Sequence, residues 1–243
     1  MFRIIIMTFS LIAVVLVNTA ANIMPINGKT TGEISNSLPV LFIPAGYASL
    51  IWPVIYLLLA IWLYGFIRNI VNADYVLFNT RVVLFVLSCL FNITWILLWH
   101  FGFFGWATII NLALLATILT IYFTYSKNDS RFYGRVPIAV YLGWTLVLTI
   151  ANISYVLMLR EWSGWGLSDP LWTVIYLTIA TAIALHFLYH YSDLAFSAVF
   201  IWAFIGITVK NGVDELFVTA AALFLAATIT GFMFFRRKSF TSK

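Results

Sequence analysis

The residues of this chain whose type and spacing could do chemistry are amides and tryptophans. Asn18, Asn22, Asn92, Asn111 and Asn152 all stand inside long apolar stretches, where an amide has two uses. It can hydrogen-bond to a neighbouring helix, which stabilises by about 0.6 kcal/mol on average in a membrane, or it can line a cavity. Trp52, Trp95 and Trp144 stand deep in apolar stretches of their own. If the helices that carry them meet, their rings form a flat aromatic cavity with Asn92 and Asn152 as its polar points. Mostly apolar walls with a few convergent polar groups describe a small-molecule site. Trp99, Trp162 and Trp165 fall near stretch ends, where tryptophan anchors a helix at the membrane interface. Trp106 and Trp202 fit neither pattern.

Charge is missing from the same stretches. Glu161, Asp169, Asp193, Asp214 and Glu215 all lie near stretch ends. Proton- and ion-coupled transporters place carboxylates at membrane depth, and acid–base catalysis needs a titratable group in a pocket, so neither is expected and the chain is not read as an enzyme. His186 and His190 are four apart on one helix face, a spacing that can hold a metal, but no H-E-x-x-H motif accompanies them. They and His100, at a stretch end, read as interfacial histidines. The single cysteine, Cys89, has no partner for a disulfide and reads as a small buried apolar residue. No metal site and no required cofactor are expected.

The elements that must position these residues are membrane helices. Of 243 residues, 63% are hydrophobic and 9% charged, where a soluble domain carries about 25% charged residues. The apolar residues fall in eight blocks, at about 4–23, 45–67, 81–99, 104–125, 136–159, 170–189, 194–209 and 215–235, most near the ~20 residues that cross a bilayer as a helix. The seventh is the shortest and marginal for spanning. Pro44, Pro137 and Pro170 stand near first turns, where proline is tolerated, and Asn211-Gly212 is a turn signal. Alternating strands are not seen, so the fold class is an all-α polytopic transmembrane helix bundle of about eight helices, with the lipid bilayer as its main partner. If all eight span and the N-terminus is cytoplasmic, ten of the thirteen Lys and Arg residues fall on the cytoplasmic side and three (Lys29, Arg160 and Lys210) outside. That split follows the positive-inside rule and puts both termini in the cytoplasm of a multi-pass cell-membrane protein. The net charge of +5 is spread between blocks, forms no patch and implies no nucleic-acid partner. A rival reading of the first block is a cleaved signal peptide, but Asn18 and Asn22 on one face fit a helix that meets other helices.

A weak repeat runs through the chain. Residues 16–23 read LVNTAANI and 146–153 read LVLTIANI; residues 52–60 read WPVIYLLLA and 172–180 read WTVIYLTIA. A duplication of four helices with parallel halves gives this order, as in some transporters; chance matches between apolar segments are the alternative.

Several segments together resemble the TspO/MBR family, the tryptophan-rich sensory proteins that include the mitochondrial translocator protein. Residues 38–60 carry a proline-containing stretch and a W-x-x-x-Y pair, Trp52 and Tyr56; residues 90–99, LFNITWILLW, carry Asn92 and Trp95; residues 136–155 carry Pro137, Tyr141, Trp144 and Asn152. The resemblance covers 1–159, a five-helix region, and leaves 160–243 as an additional three-helix region with a basic tail. It departs from the family at Asn27–Ser37, which is polar where the family has a Trp-Tyr pair, at Pro44-Ala45 in place of a double proline, and at Ser88 in place of a glutamine. The sterol-type pattern some members carry is missing before Tyr155. The resemblance implies a sensory or binding protein for a hydrophobic planar small molecule, a porphyrin or other tetrapyrrole, held by Trp52, Tyr56, Asn92, Trp95, Trp144 and Asn152, with homodimers common among members; the loop Asn27–Ser37 is expected to lie over the pocket mouth as a lid. The alternatives are a facilitator or transporter of a small hydrophobic compound, and light-dependent tetrapyrrole breakdown, which needs no acid–base residue.

Overall fold

The computed structural model describes residues 2–68, 75–127, 129 and 131–241; Lys243 of the basic tail lies outside the described residues. Among these residues there are nine α-helices and no strand: α1 (Phe2–Ile23), α2 (Thr31–Ser35), α3 (Ile51–Arg68), α4 (Tyr75–His100), α5 (Phe104–Phe123), α6 (Arg135–Leu159), α7 (Asp169–Tyr191), α8 (Leu194–Asn211) and α9 (Leu216–Thr241). All but α2 are long and apolar enough to cross a membrane, α3 together with the turn before it. The eight expected blocks are therefore eight helices of an all-α bundle.

Two boundaries differ from the sequence reading, each for a local reason. α4 begins before the third apolar block because its first turn is held from outside, where Arg3 donates to the Tyr75 hydroxyl at 3.0 Å. α8 reaches Asn211 because the Asn211 amide donates both to the Ile207 carbonyl at 2.8 Å and to the Leu41 carbonyl at 2.9 Å. The chain then turns at Gly212, whose φ of 50° is the left-handed conformation glycine adopts without steric cost.

One hydrophobic core runs through the bundle, from Met7 and Leu11 on α1 to Leu177 on α7, Phe200 on α8 and Val218 on α9. α6 is its most buried helix and packs against α3, α5 and α8. The last three helices thus share a core with the first five. The repeat has a counterpart in the packing: α1 packs on α4 as α6 packs on α8. Both W-x-x-x-Y pairs bring their rings together, Trp52–Tyr56 stacked with ring centroids 5.7 Å apart and Trp172–Tyr176 tilted by 34° at 5.6 Å.

A buried clasp closes the end of the bundle where α5, α6, α7 and α8 meet. Arg135 Nε lies 3.2 Å from Asp193 Oδ2, and its other nitrogens donate to the carbonyls of Ser126, Lys127 and Tyr191 at 2.6–3.2 Å. Asp193 accepts the Tyr122 hydroxyl at 2.8 Å and caps α8 through the Phe196 N–H at 3.0 Å. Every charged atom is partnered, as a buried ion pair requires.

Candidate ligand-binding site

At the opposite end, where α1 and α4 finish and α3 begins, the helices enclose a cavity of about 220 Å³. Its walls come from α1, α3, α4 and α6, and the segment 30–36 and the turn before α3 roof it. Trp52 enters from the first turn of α3, Trp95 and Trp99 from the last turns of α4, and Trp144 and Asn152 from α6. Trp95 and Trp99 are four apart, and Trp144, Leu148, Ala151 and Asn152 follow helical spacing, so each helix presents one face to the cavity. Trp52 lies 6.4 Å from Trp95, and Trp95 6.3 Å from Trp99, centroid to centroid, so the rings form a connected aromatic wall.

Four of the six residues singled out from sequence line this cavity: Trp52, Trp95, Trp144 and Asn152. Tyr56 and Asn92 do not. Tyr56 stacks on Trp52 with an interplanar angle of 22° and so backs the wall. Asn92 spends its amide inside the bundle, accepting from Asn18 Nδ2 at 2.8 Å and donating to the Tyr141 hydroxyl at 3.2 Å. A buried amide with both ends engaged is a helix–helix link; Asn111 links α5 to α6 by one end only, its NH₂ donating to the Thr149 hydroxyl at 2.8 Å while its carbonyl oxygen is buried without a partner.

Trp99, read from its place at a helix end as a membrane anchor, is 3% exposed and belongs to the cavity. Asn18 and Asn22 also line it. Their spacing on one face of the first block was the available signal. Trp202, unplaced by sequence, donates its indole N–H to the Ala48 carbonyl at 3.0 Å and so fixes the turn that roofs the cavity.

The polarity of the walls is one-sided. The indole N–H groups of Trp95, Trp99 and Trp144 and the amide NH₂ of Asn152 are buried and find no acceptor in the protein. No residue lining the cavity carries a charge. Among the described residues no cluster of three or more His, Cys, Asp or Glu side chains could hold a metal, and His186 and His190 sit exposed on α7, far along the chain from any cavity-lining residue. The site can therefore stack against a flat apolar molecule and donate hydrogen bonds to its rim.

The roof is fastened. A capping box starts α2, with Thr30 and Glu33 exchanging side-chain and backbone bonds. Those Thr30 donors hold the Glu33 carboxyl below the usual carboxylate range. His100, which sequence placed at the interface, is 4% exposed and grips the segment. Its Nδ1 faces the Ile26 carbonyl at 3.2 Å, so that nitrogen donates, and Nε2 meets the Thr31 hydroxyl at 3.0 Å. Asn27 donates to the His100 carbonyl at 3.2 Å, and the hydroxyls of Ser37 and Tyr155 meet at 2.8 Å.

A larger groove of about 650 Å³ lies between α3, α6 and α8. Its walls are aliphatic residues such as Val54, Leu58 and Ala198, and its charged groups are Asp129, Arg135 and Asp193, all engaged in ion pairs. It offers lipid chains a mostly apolar surface, and its charged groups are already paired.

The family of TSPO-like proteins matches this chain over residues 4–235, across all eight long helices. Comparison with curated proteins and with solved structures returned no match.

Proposed function

The chain belongs to the TSPO-like protein family, and from that membership we propose that it is an integral membrane sensory or binding protein for a planar hydrophobic ligand of the tetrapyrrole class. The observation that carries the reading is the convergence of three buried, unpaired indole N–H groups and one unpaired amide on a single aromatic cavity. A buried donor left without a partner costs roughly 1–3 kcal/mol. A ligand that brings acceptors on its rim offsets that cost at several points at once. A tetrapyrrole supplies both a flat π-system for the tryptophan faces and oxygen acceptors at its edge.

Size adds a condition. At about 220 Å³ the cavity is smaller than the roughly 300–1,000 Å³ of most small-molecule sites. A whole macrocycle enters only if the roof segment shifts, and that segment is held by side-chain hydrogen bonds that can break without unfolding a helix of the bundle.

Titration of the purified protein with protoporphyrin, read by quenching of tryptophan fluorescence, tests the reading. Saturable binding is expected, weakened about two- to tenfold by each of Trp52→Phe and Trp144→Phe, the range for loss of one aromatic pair. Binding curves unchanged in both variants would place the ligand elsewhere.

A further inference from the structure

A second cavity, of about 310 Å³, lies beside the first, lined by Lys29, Trp99, His100, Phe104 and Tyr155 among others. Trp99 borders both cavities. The same segment roofs both: Thr30, Thr31 and Gly32 line the first, and Asn27, Lys29 and Ile34 line the second. Together the two volumes fall within the range of ordinary ligand sites.

Their chemistry differs. The first cavity has no charged lining residue, whereas the second has Lys29 and no acid. The other polar groups of the second cavity are engaged. Both His100 ring nitrogens are bonded, the Asn27 amide donates to the His100 carbonyl, and the Ser37 and Tyr155 hydroxyls bond each other. Glu33, four residues from Lys29, is bonded to the Thr30 N–H at 2.7 Å and hydroxyl at 3.0 Å. Lys29 is exposed and forms no salt bridge with any described residue. Lys29 also acts on the Glu33 carboxyl through its charge, but the donors left without a hydrogen-bond or salt-bridge partner are the Lys29 ammonium and the Trp99 indole N–H.

From this we propose that the site is bipartite and takes an amphiphilic acid, its planar apolar body in the tryptophan cavity and a carboxylate arm in the second cavity, met by Lys29. The proposal rests on the reading of the tryptophan cavity as a ligand site and adds the charge of the ligand to it. A carboxylate is the acceptor that uses a cation and a neutral N–H together. Trp99, packed against Phe104 and Tyr155 with centroids 5.0 and 4.9 Å away, is the partition the arm passes.

The test compares protoporphyrin with its dimethyl ester, the same ring without the charge, in nanodiscs of zwitterionic lipid. The wild type binds both, the free acid more tightly. Lys29→Gln weakens the acid about two- to fivefold, as expected for one exposed ion pair, and leaves the ester unchanged; Lys29→Arg restores the acid. If Lys29→Gln leaves the acid unchanged or weakens both forms equally, Lys29 faces lipid head groups or solvent and the bipartite site is wrong, although the tryptophan cavity stands. If the wild type binds neither, or Trp52→Phe and Trp144→Phe leave both curves unchanged, the tryptophan cavity falls and the bipartite site with it.

Discussion

Asn92 and Asn152 look alike in the sequence, each an amide deep in an apolar helix, but they do different work. Asn92 is bonded at both ends, to Asn18 and Tyr141, whereas Asn152 lines the cavity with its NH₂ unpaired. Replacement by leucine separates the roles. Asn92→Leu is expected to lower stability by about 1–2 kcal/mol, the upper part of the range for a membrane hydrogen bond with two partners, and to leave protoporphyrin affinity near wild type. Asn152→Leu is expected to do the reverse, weakening binding with little change in the thermal midpoint. Thermal unfolding and fluorescence titration of the two variants side by side check it, and matching profiles for both would contradict the assignment. The same pair marks what was legible. Tryptophan at depth announced a cavity, and Trp52, Trp95 and Trp144 line one. Whether a buried amide pairs or stays open depends on a residue more than seventy positions away, as Asn18 is from Asn92, and spacing along one helix does not carry that. Trp99 departs from the expected interface anchor for a related reason: the end of a membrane helix is an interface unless another segment covers it, and here α2 and the chain around it do.

At the scale of elements, the cavity depends on two contacts that join the later helices and the roof to the rest. α8 approaches the turn before α3 at Gly206, whose carbonyl accepts the Ala45 N–H at 3.0 Å. A Cβ there would stand 2.8 Å from the Pro44 Cβ and 3.1 Å from that of Ala48. Gly206→Ala is therefore expected to cost about 1–3 kcal/mol, as overpacking does, while Gly231→Ala, in the interior of α9 where a Cβ meets nothing within 4 Å, is expected to be neutral or to stabilise by up to about 1 kcal/mol; thermal unfolding of both decides it. The roof is fastened at His100. His100→Ala removes its bonds to Ile26 and Thr31, and amide hydrogen exchange across 30–37 is expected to speed up several-fold while exchange in α6 stays slow. Unchanged exchange in the roof would show that the capping box alone holds it. Neither contact was legible in the sequence: Gly206 looked like any glycine in an apolar helix, and His100 like a histidine at a helix end.

For the whole molecule, the eight helices were plain from block length and composition, because a bilayer allows few other ways to bury so many apolar residues. The sequence resemblance covered 1–159, whereas the family match and the single core run on through α7, α8 and α9. Orientation is the open consequence. The count of basic residues predicts cytoplasmic termini; on that expectation Arg68→Cys reacts with a membrane-impermeant maleimide only after the cells are permeabilised, and Arg160→Cys in intact cells. Native Cys89 is buried and gives a silent background. The opposite labelling pattern would invert the protein. The central claim, a planar ligand held among tryptophans, is met most directly by an experimental structure of the protein with protoporphyrin bound. The account predicts the ring between Trp52, Trp95 and Trp144 with the roof segment displaced. A ring found instead in the groove between α3 and α8, with the tryptophan cavity unchanged, would contradict it.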